Sequence, residues 1–146
     1  MNKMNISELQ KQELDSLGRL YQQLIPNKIS LDKMTDVFDR NRNNENHICL
    51  VAREQGVVIG TLMAYICEMY FGQCKSFMVI EDLVVDEFYR GRGVGSKLVQ
   101  AAEQRAQTHN CSYIMLITDR EREESQNFYK KLGYATGEYC AFKKKV

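Results

Sequence analysis

The sequence predicts one domain of mixed α/β (α+β) class over residues 1–146. Helical spacing in the first third gives way to strand-like apolar runs near residue 48. In the middle of the chain a strand feeds a helix through a glycine-rich turn. The composition is globular, with 44% hydrophobic and 27% charged residues, one Pro and nine Gly, and 146 residues are enough for one core without staples. No internal repeat or low-complexity linker interrupts it.

The elements follow in order. Asn5 to Leu9 reads as a short strand. Leu14, Leu17, Tyr21, Leu24 and Ile25 recur at helical spacing until Pro26 stops the run. Ser30 is placed to cap a second helix from Leu31 to about Asn41, with Leu31, Met34, Val37 and Phe38 on one face, and the two helices form a layer or lid. Ile48 to Arg53, a turn at Glu54 to Gly56, and Val57 to Met69 read as a hairpin, and Phe77 to Val85 as a third apolar strand. Leu98 to about Thr108 has helical spacing. Cys111 to Thr118 reads as a buried strand, Glu123 to Leu132 as a helix stopped by Gly133, and Glu138 to Lys145 as a final strand.

Charge and cysteine usage exclude several classes. A formal net charge of +1 provides no field that drives the protein onto nucleic acid or anionic lipid. The basic end, Lys143 to Lys145, reads as an anion or polymer contact or, from its alternation with Phe142 and Val146, as a fraying edge strand, which suits it better. Five cysteines, Cys49, Cys67, Cys74, Cys111 and Cys140, are odd in number and lack a Cys-x-x-Cys pair, which argues against a disulfide framework and a zinc site. No metal is expected. The start is acidic and amide-rich without an apolar signal core, and no run approaches the roughly 18 apolar residues of a membrane span, so the expected location is the cytoplasm.

The segment Tyr89-Arg90-Gly91-Arg92-Gly93-Val94-Gly95-Ser96-Lys97-Leu98 joins the third core strand to its helix, so its amides lie at the positive end of a helix dipole. Glycines at 91, 93 and 95 remove Cβ atoms where a pyrophosphate must approach the backbone, and Arg90 and Arg92 add screening charge. Other phosphate loops do not fit. A dinucleotide fingerprint needs glycine where Ser96 stands, and a P-loop needs Gly-Lys-Ser/Thr where Ser96 precedes Lys97.

This stretch resembles the acyl-CoA-binding motif of the GNAT superfamily of N-acetyltransferases, Gln/Arg-x-x-Gly-x-Gly/Ala, at Arg90, Gly93 and Gly95. It follows Glu81-Asp82-Leu83-Val84-Val85-Asp86 and precedes an amphipathic helix, as in that family. A second signature appears as Phe128-Tyr129-Lys130-Lys131-Leu132-Gly133-Tyr134. The resemblance implies a GNAT-like mixed, mostly antiparallel sheet of about six to seven strands flanked by about four helices. It implies acetyl-CoA as co-substrate, held by Leu83, Val84 and Val85 along its pantetheine arm, and by Arg90, Gly91, Arg92, Gly93, Val94, Gly95 and Ser96 at the pyrophosphate. A homodimer is implied by the resemblance alone.

Acetyl transfer needs a positioned neutral amine, donors for the developing oxyanion, a proton acceptor and an acid for the leaving thiolate. By resemblance Tyr129 is that acid, the alternative being an aromatic that packs under the sheet. Glu81, on the cofactor strand, is the best candidate for the base, directly or through a water, or for a substrate anchor, with a merely structural carboxylate as the alternative, while Asp82 points to the opposite face if the strand is regular. Where many family members carry Asn and Ala seven and four residues before the tyrosine, this chain has Arg122 and Ser125, and Asn127 does not replace the Asn. His47 and His109 lack partners at metal or triad spacing and suit capping or surface roles. The charged run Asp119 to Glu124 reads as a solvated helix start or as a lining of the substrate mouth.

The expected activity is acetyl-CoA-dependent acetylation of a primary amine on a small molecule by direct attack on the thioester. The Glu81 to Val85 run resembles glucosamine-phosphate and aminoglycoside-type members, which points to amino sugars. The alternatives are a non-catalytic CoA-binding or acyl-CoA-sensing module and a protein lysine or N-terminal acetyltransferase. Acceptor recognition is expected from residues before 45 and from the loop at Met69 to Ser76.

Overall fold

The computed structural model describes residues 3–146. Two compact bodies, one reaching Met115 and one running from Leu116 onward, are described in turn.

The first body runs β1 (Met4–Glu8), a 3-10 turn (Lys11–Glu13), α1 (Leu14–Leu24), α2 (Leu31–Asn41), β2 (His47–Glu54), β3 (Val57–Cys67), β4 (Ser76–Val85), a 3-10 turn (Glu87–Tyr89), α3 (Val94–Thr108) and β5 (Cys111–Leu116). The strands form one sheet in the order β1-β2-β3-β4-β5. The first four pair antiparallel, with Cys49 opposite Met63 and Val51 opposite Thr61. With β1 to β5 and four α-helices among the described residues, the fold is the expected mixed class, with fewer strands than the six to seven expected.

Sequence explains the joints. Gln55 and Gly56 both take positive φ, the backbone of a two-residue hairpin turn whose twist matches its strands. Ser30 caps α2, its hydroxyl accepting from Lys33 N–H at 3.5 Å. Pro26 follows the end of α1, where Asn27 donates to the carbonyls of Tyr21 and Ile25. The His109 ring sits 2.8 Å from the Arg105 carbonyl at the end of α3, and Asn110 takes positive φ beyond it, in keeping with a capping role.

β3 is central, with every residue from Ile59 to Ala64 buried. Its even positions face α3: a Cβ on Gly60 would stand 3.1 Å from Val94 and 3.2 Å from Leu98. The buried stripe of α3, Val94, Leu98, Val99, Ala102 and Ala106, closes this side of the core. The odd positions, Thr61, Met63 and Tyr65, look toward α1 and α2. Leu14, Leu17 and Leu20 of α1 are buried, whereas no residue of α2 is fully buried, so α2 roofs a space rather than filling it.

Two expectations need correction. Cys111 to Thr118 is not a buried strand: β5 ends at Leu116, and Tyr113, Met115 and Ile117 are exposed by 43–49%. It is the last strand of the sheet order, and an apolar run identifies a strand without saying whether both faces are covered. α3 begins at Val94, four residues before Leu98, because Gly93 turns the chain at φ +80 and lets the helix start inside the glycine run.

In the second body α4 spans Glu123–Lys131, with Glu123 and Glu124 in its first turn. Tyr134 N–H bonds to the Tyr129 carbonyl and Gly133 N–H to that of Lys130, with Gly133 at φ +93. That is a Schellman ending, and the Tyr129 and Tyr134 rings meet edge to face at 5.7 Å as its apolar contact. The spacing of Tyr129, Gly133 and Tyr134 is therefore required by the helix end itself. The strand expected at Glu138 to Lys145 is absent; the backbone there is irregular and its side chains are exposed. A strand has no internal hydrogen bonds, so alternation along the chain forms one only where a neighbour supplies them.

Candidate active site

The turn after β4 is built to present backbone. Asp86 caps the 3-10 turn by accepting from Phe88 N–H, and Gln23 of α1 clamps it by donating to Asp86 at 3.1 Å and accepting from Glu87 N–H at 3.0 Å. Arg90 folds back onto the Val85 carbonyl at 3.0 Å. Arg92 lies 5.0 Å over the Tyr89 ring and donates to Glu54 at 3.0 Å, so part of its charge is met within the protein.

Gly91 and Gly93 both take positive φ, and a Cβ on either would meet nothing within 4 Å. The first backbone bond of α3 runs from Lys97 N–H to the Gly93 carbonyl, leaving the amides of Val94, Gly95 and Ser96 ahead of the helical ladder. Free amides, open space and the positive end of a 15-residue helix coincide at one point.

β4 departs from regularity upstream. Thr61 pairs with Val84 and Met63 with Glu81, so Leu62 alone faces both Asp82 and Leu83. This is a β-bulge, and Asp82 takes φ +52 within it. The alternation that would send Asp82 to the face opposite Glu81 is broken: Glu81 shares the α1 face with Met63, and Asp82 lines the cleft on that same side. Val84 is buried against that face, and Leu83 and Val85 are half-buried.

The cleft, about 970 Å³, lies between the sheet and the two N-terminal helices and is lined by Tyr21, Phe38, Met63, Tyr65 and Asp82 among others. Residues 33–45 supply its roof, and none of residues 69–76 lines it. Behind its lining residues Tyr21 and Cys49 lies a hydrogen-bonded group: fully buried Thr61 donates to the Leu50 carbonyl at 2.9 Å, shares a hydrogen bond with the Tyr21 hydroxyl, and stands 3.7 Å from the Cys49 thiol.

Burial pushes the Tyr21 hydroxyl far above its ordinary range, with the nearby Cys49, Asp82 and Tyr65 adding to the effect. Burial likewise pushes the Cys49 thiol up to about 11, and Tyr65 is raised by burial and then by the fields of Asp82 and Glu81. All three stay protonated at neutral pH. Cys49 offers no thiolate nucleophile there, whereas Asp82, which lines the cleft, and Glu81, whose field reaches Tyr65, are carboxylates able to accept a proton on this side of the sheet.

Of the residues expected to act, Glu81, Leu83 to Val85 and Arg90 to Ser96 follow one another along β4 and its turn in the first body. Tyr129 lies in the second, half-buried in the last turn of α4 with the Phe128 ring 5.0 Å from its own. His47 packs edge-on to Tyr65 at 5.4 Å and lines the cleft, and Asp119 to Glu124 are exposed around the start of α4. Among the described residues no group of His, Cys, Asp and Glu is placed to hold a metal ion, and no helix is long and apolar enough to cross a membrane. Sequence reasoning missed Tyr21, Tyr65 and the inward turn of Asp82. The signal for the last was the acidic doublet itself, two consecutive charges inside an apolar strand of period two.

Comparison with known proteins gives a consistent picture. The model of the Acetyltransferase (GNAT) family matches residues 14–134. The aminoalkylphosphonate N-acetyltransferase of Salmonella typhimurium is 26% identical over 123 residues, covering 84% of this chain and 79% of that protein. The glucosamine 6-phosphate N-acetyltransferase of Arabidopsis thaliana is 25% identical over 136 residues, covering 91% and 87%. Among solved structures, AAC(6')-Iy in complex with the bisubstrate analog CoA-S-monomethyl-acetylneamine superposes with a TM-score of 0.82 at 25% identity, over 99% of each chain.

Proposed function

From its place in the acetyltransferase (GNAT) family, to which this chain belongs, we propose that it is a cytoplasmic N-acetyltransferase moving an acetyl group from acetyl-CoA to a primary amine of a small molecule. Amino sugars and aminoglycoside-like amines are the favoured acceptors, in line with the two relatives whose names specify aminoalkylphosphonate and glucosamine 6-phosphate acetylation. When bound, acetyl-CoA supplies an activated thioester, and the chain supplies position and proton handling.

The amides of Gly91 to Ser96 hold the pyrophosphate, with Arg90 and Arg92 screening it. Leu83, Val84 and Val85 align the pantetheine arm along β4 below the bulge. Glu81 takes the amine proton, directly or through a water, and Tyr129 returns one to the leaving thiolate. Attack is direct, in line with a cleft thiol, Cys49, that stays protonated at neutral pH. The observation that carries this reading is the open, positive-φ glycine turn running into the first amides of α3.

Calorimetric titration with CoA tests it. Wild type binds, and Gly93→Asp, which places a carboxylate where the diphosphate must sit, does not. Tyr129→Phe binds as wild type does and loses most amine-dependent thiol release. Equal CoA binding by Gly93→Asp removes the turn from the account.

A further inference from the structure

Resting on the N-acetyltransferase reading, we propose that the Asp82 carboxylate, turned into the cleft by the β4 bulge, is the subsite that takes the ammonium group of the acceptor, so that acceptors enter as cationic primary amines. The bulge puts two residues of β4 opposite Leu62 and holds Asp82 at φ +52, a conformation that non-glycine residues adopt at a cost. The effect is to aim into the cleft a side chain that a regular strand would send to the other face.

Asp82 has no ion-pair partner among the described residues. Two of the cations lining the same cleft are already engaged, Arg42 with Asp39 at 2.9 Å and Arg105 with Glu8 at 2.7 Å. The groups nearest in electrostatic terms are Tyr21, Tyr65 and Cys49, whose hydroxyls and thiol all feel its negative field and all remain neutral. An unmatched carboxylate beside aromatic rings is a site for a cation: the carboxylate accepts its N–H groups and a ring face adds attraction. The Tyr65 ring is held for this by its edge contact with His47. Primary alkylamines are protonated at neutral pH, as the lysine side chain is, so the ammonium is the form that arrives.

The role is distinct from that assigned to Glu81. Asp82 fixes where the nitrogen sits, and Glu81 accepts its proton as the amine becomes the nucleophile. Asp82→Asn is the suitable variant, because asparagine tolerates the left-handed backbone and preserves the bulge while removing the charge.

Binding of ethanolamine, glucosamine, 2-aminoethylphosphonate and neamine is measured calorimetrically on wild type and Asp82→Asn in the presence of CoA, with glucose as the deaminated control and thermal melting to verify folding. The expected result is that at least one amine binds wild type, that its affinity falls about tenfold to a hundredfold in Asp82→Asn, and that CoA affinity and melting are unchanged. Thiol release is followed in parallel with Glu81→Gln, which lowers kcat where Asp82→Asn raises the amine KM. No amine binding to wild type, or equal binding to a folded Asp82→Asn, overturns the subsite. Asp82-dependent amine binding without thiol release from acetyl-CoA leaves the subsite standing and removes the transferase reading instead.

Discussion

Gly60 couples the sheet to the helix that presents the phosphate-binding amides, and adding one methyl group there measures how tightly. A Cβ at this position meets Val94 Cγ1 at 3.1 Å, Leu98 Cδ1 at 3.2 Å and the Val84 carbonyl oxygen at 3.3 Å. The two side-chain atoms can give by a few tenths of an ångström, but the carbonyl belongs to a paired strand and cannot. Overpacking of this kind costs about 1–3 kcal/mol. The backbone there is outside the left-handed region, so alanine returns about 0.4–1 kcal/mol by restricting the unfolded chain.

Gly60→Ala is therefore expected to lose about 1–2 kcal/mol. With an unfolding entropy near 0.3 kcal/mol/K for a chain this long, the melting temperature falls by about 3–7 °C. Val94 is the first residue of α3, so relief should come from that side. In Gly60→Ala/Val94→Ala the two changes are less than additive, with a coupling of about 1 kcal/mol. Circular dichroism melts of the four proteins provide the cycle. A Gly60→Ala protein that melts at or above wild type, or strict additivity in the cycle, refutes the close-approach argument.

Glu13 and Arg53 form a largely enclosed pair, with Arg53 Nη2 2.6 Å from Glu13 Oε2 and both side chains exposed by 13–14%, and Arg53 also donates to Ser7 and the Glu8 carbonyl. Glu13→Gln should cost about 1.5–3 kcal/mol in urea unfolding at pH 7. The Arg53 hydrogen bond holds the Glu13 carboxyl below its usual range, so its contribution is fully present above the unfolded glutamate pKa of about 4.3 and is lost as pH falls through the lower folded value. The gap between wild type and Glu13→Gln therefore closes in acid, and a gap that widens below pH 4 contradicts the assignment. With its thiol pushed up to about 11 and only partly accessible, Cys49 should alkylate with iodoacetamide more slowly at pH 8 than exposed Cys74 and Cys140, as peptide mapping over time will show.

Much of this architecture was legible because it is local. Helical spacing from Leu14 to Ile25, the Ser30 cap and the Gln55-Gly56 turn are dictated by neighbours within a few residues, and each appears where the sequence puts it. Apolar spacing begins only at Leu98, four residues into α3, whereas the helix starts from the backbone geometry at Gly93. Residues 138–145 carry a strand pattern without a strand, and β5 carries a buried pattern on an exposed edge, because pairing and coverage depend on partners distant in sequence. The cleft was legible only as a region. Tyr21, Thr61, Tyr65 and Asp82 come together through strand register, and a one-residue bulge decided which face Asp82 occupies.

Free-thiol release from acetyl-CoA, followed across a panel of primary amines with wild type and Gly93→Asp, tests the central claim most directly. The account predicts amine-dependent release by wild type with at least one acceptor, accompanied by an N-acetylated product, and loss of release in Gly93→Asp. Tight CoA binding by wild type with no release on any amine would contradict it and make the glycine turn the site of a binding module.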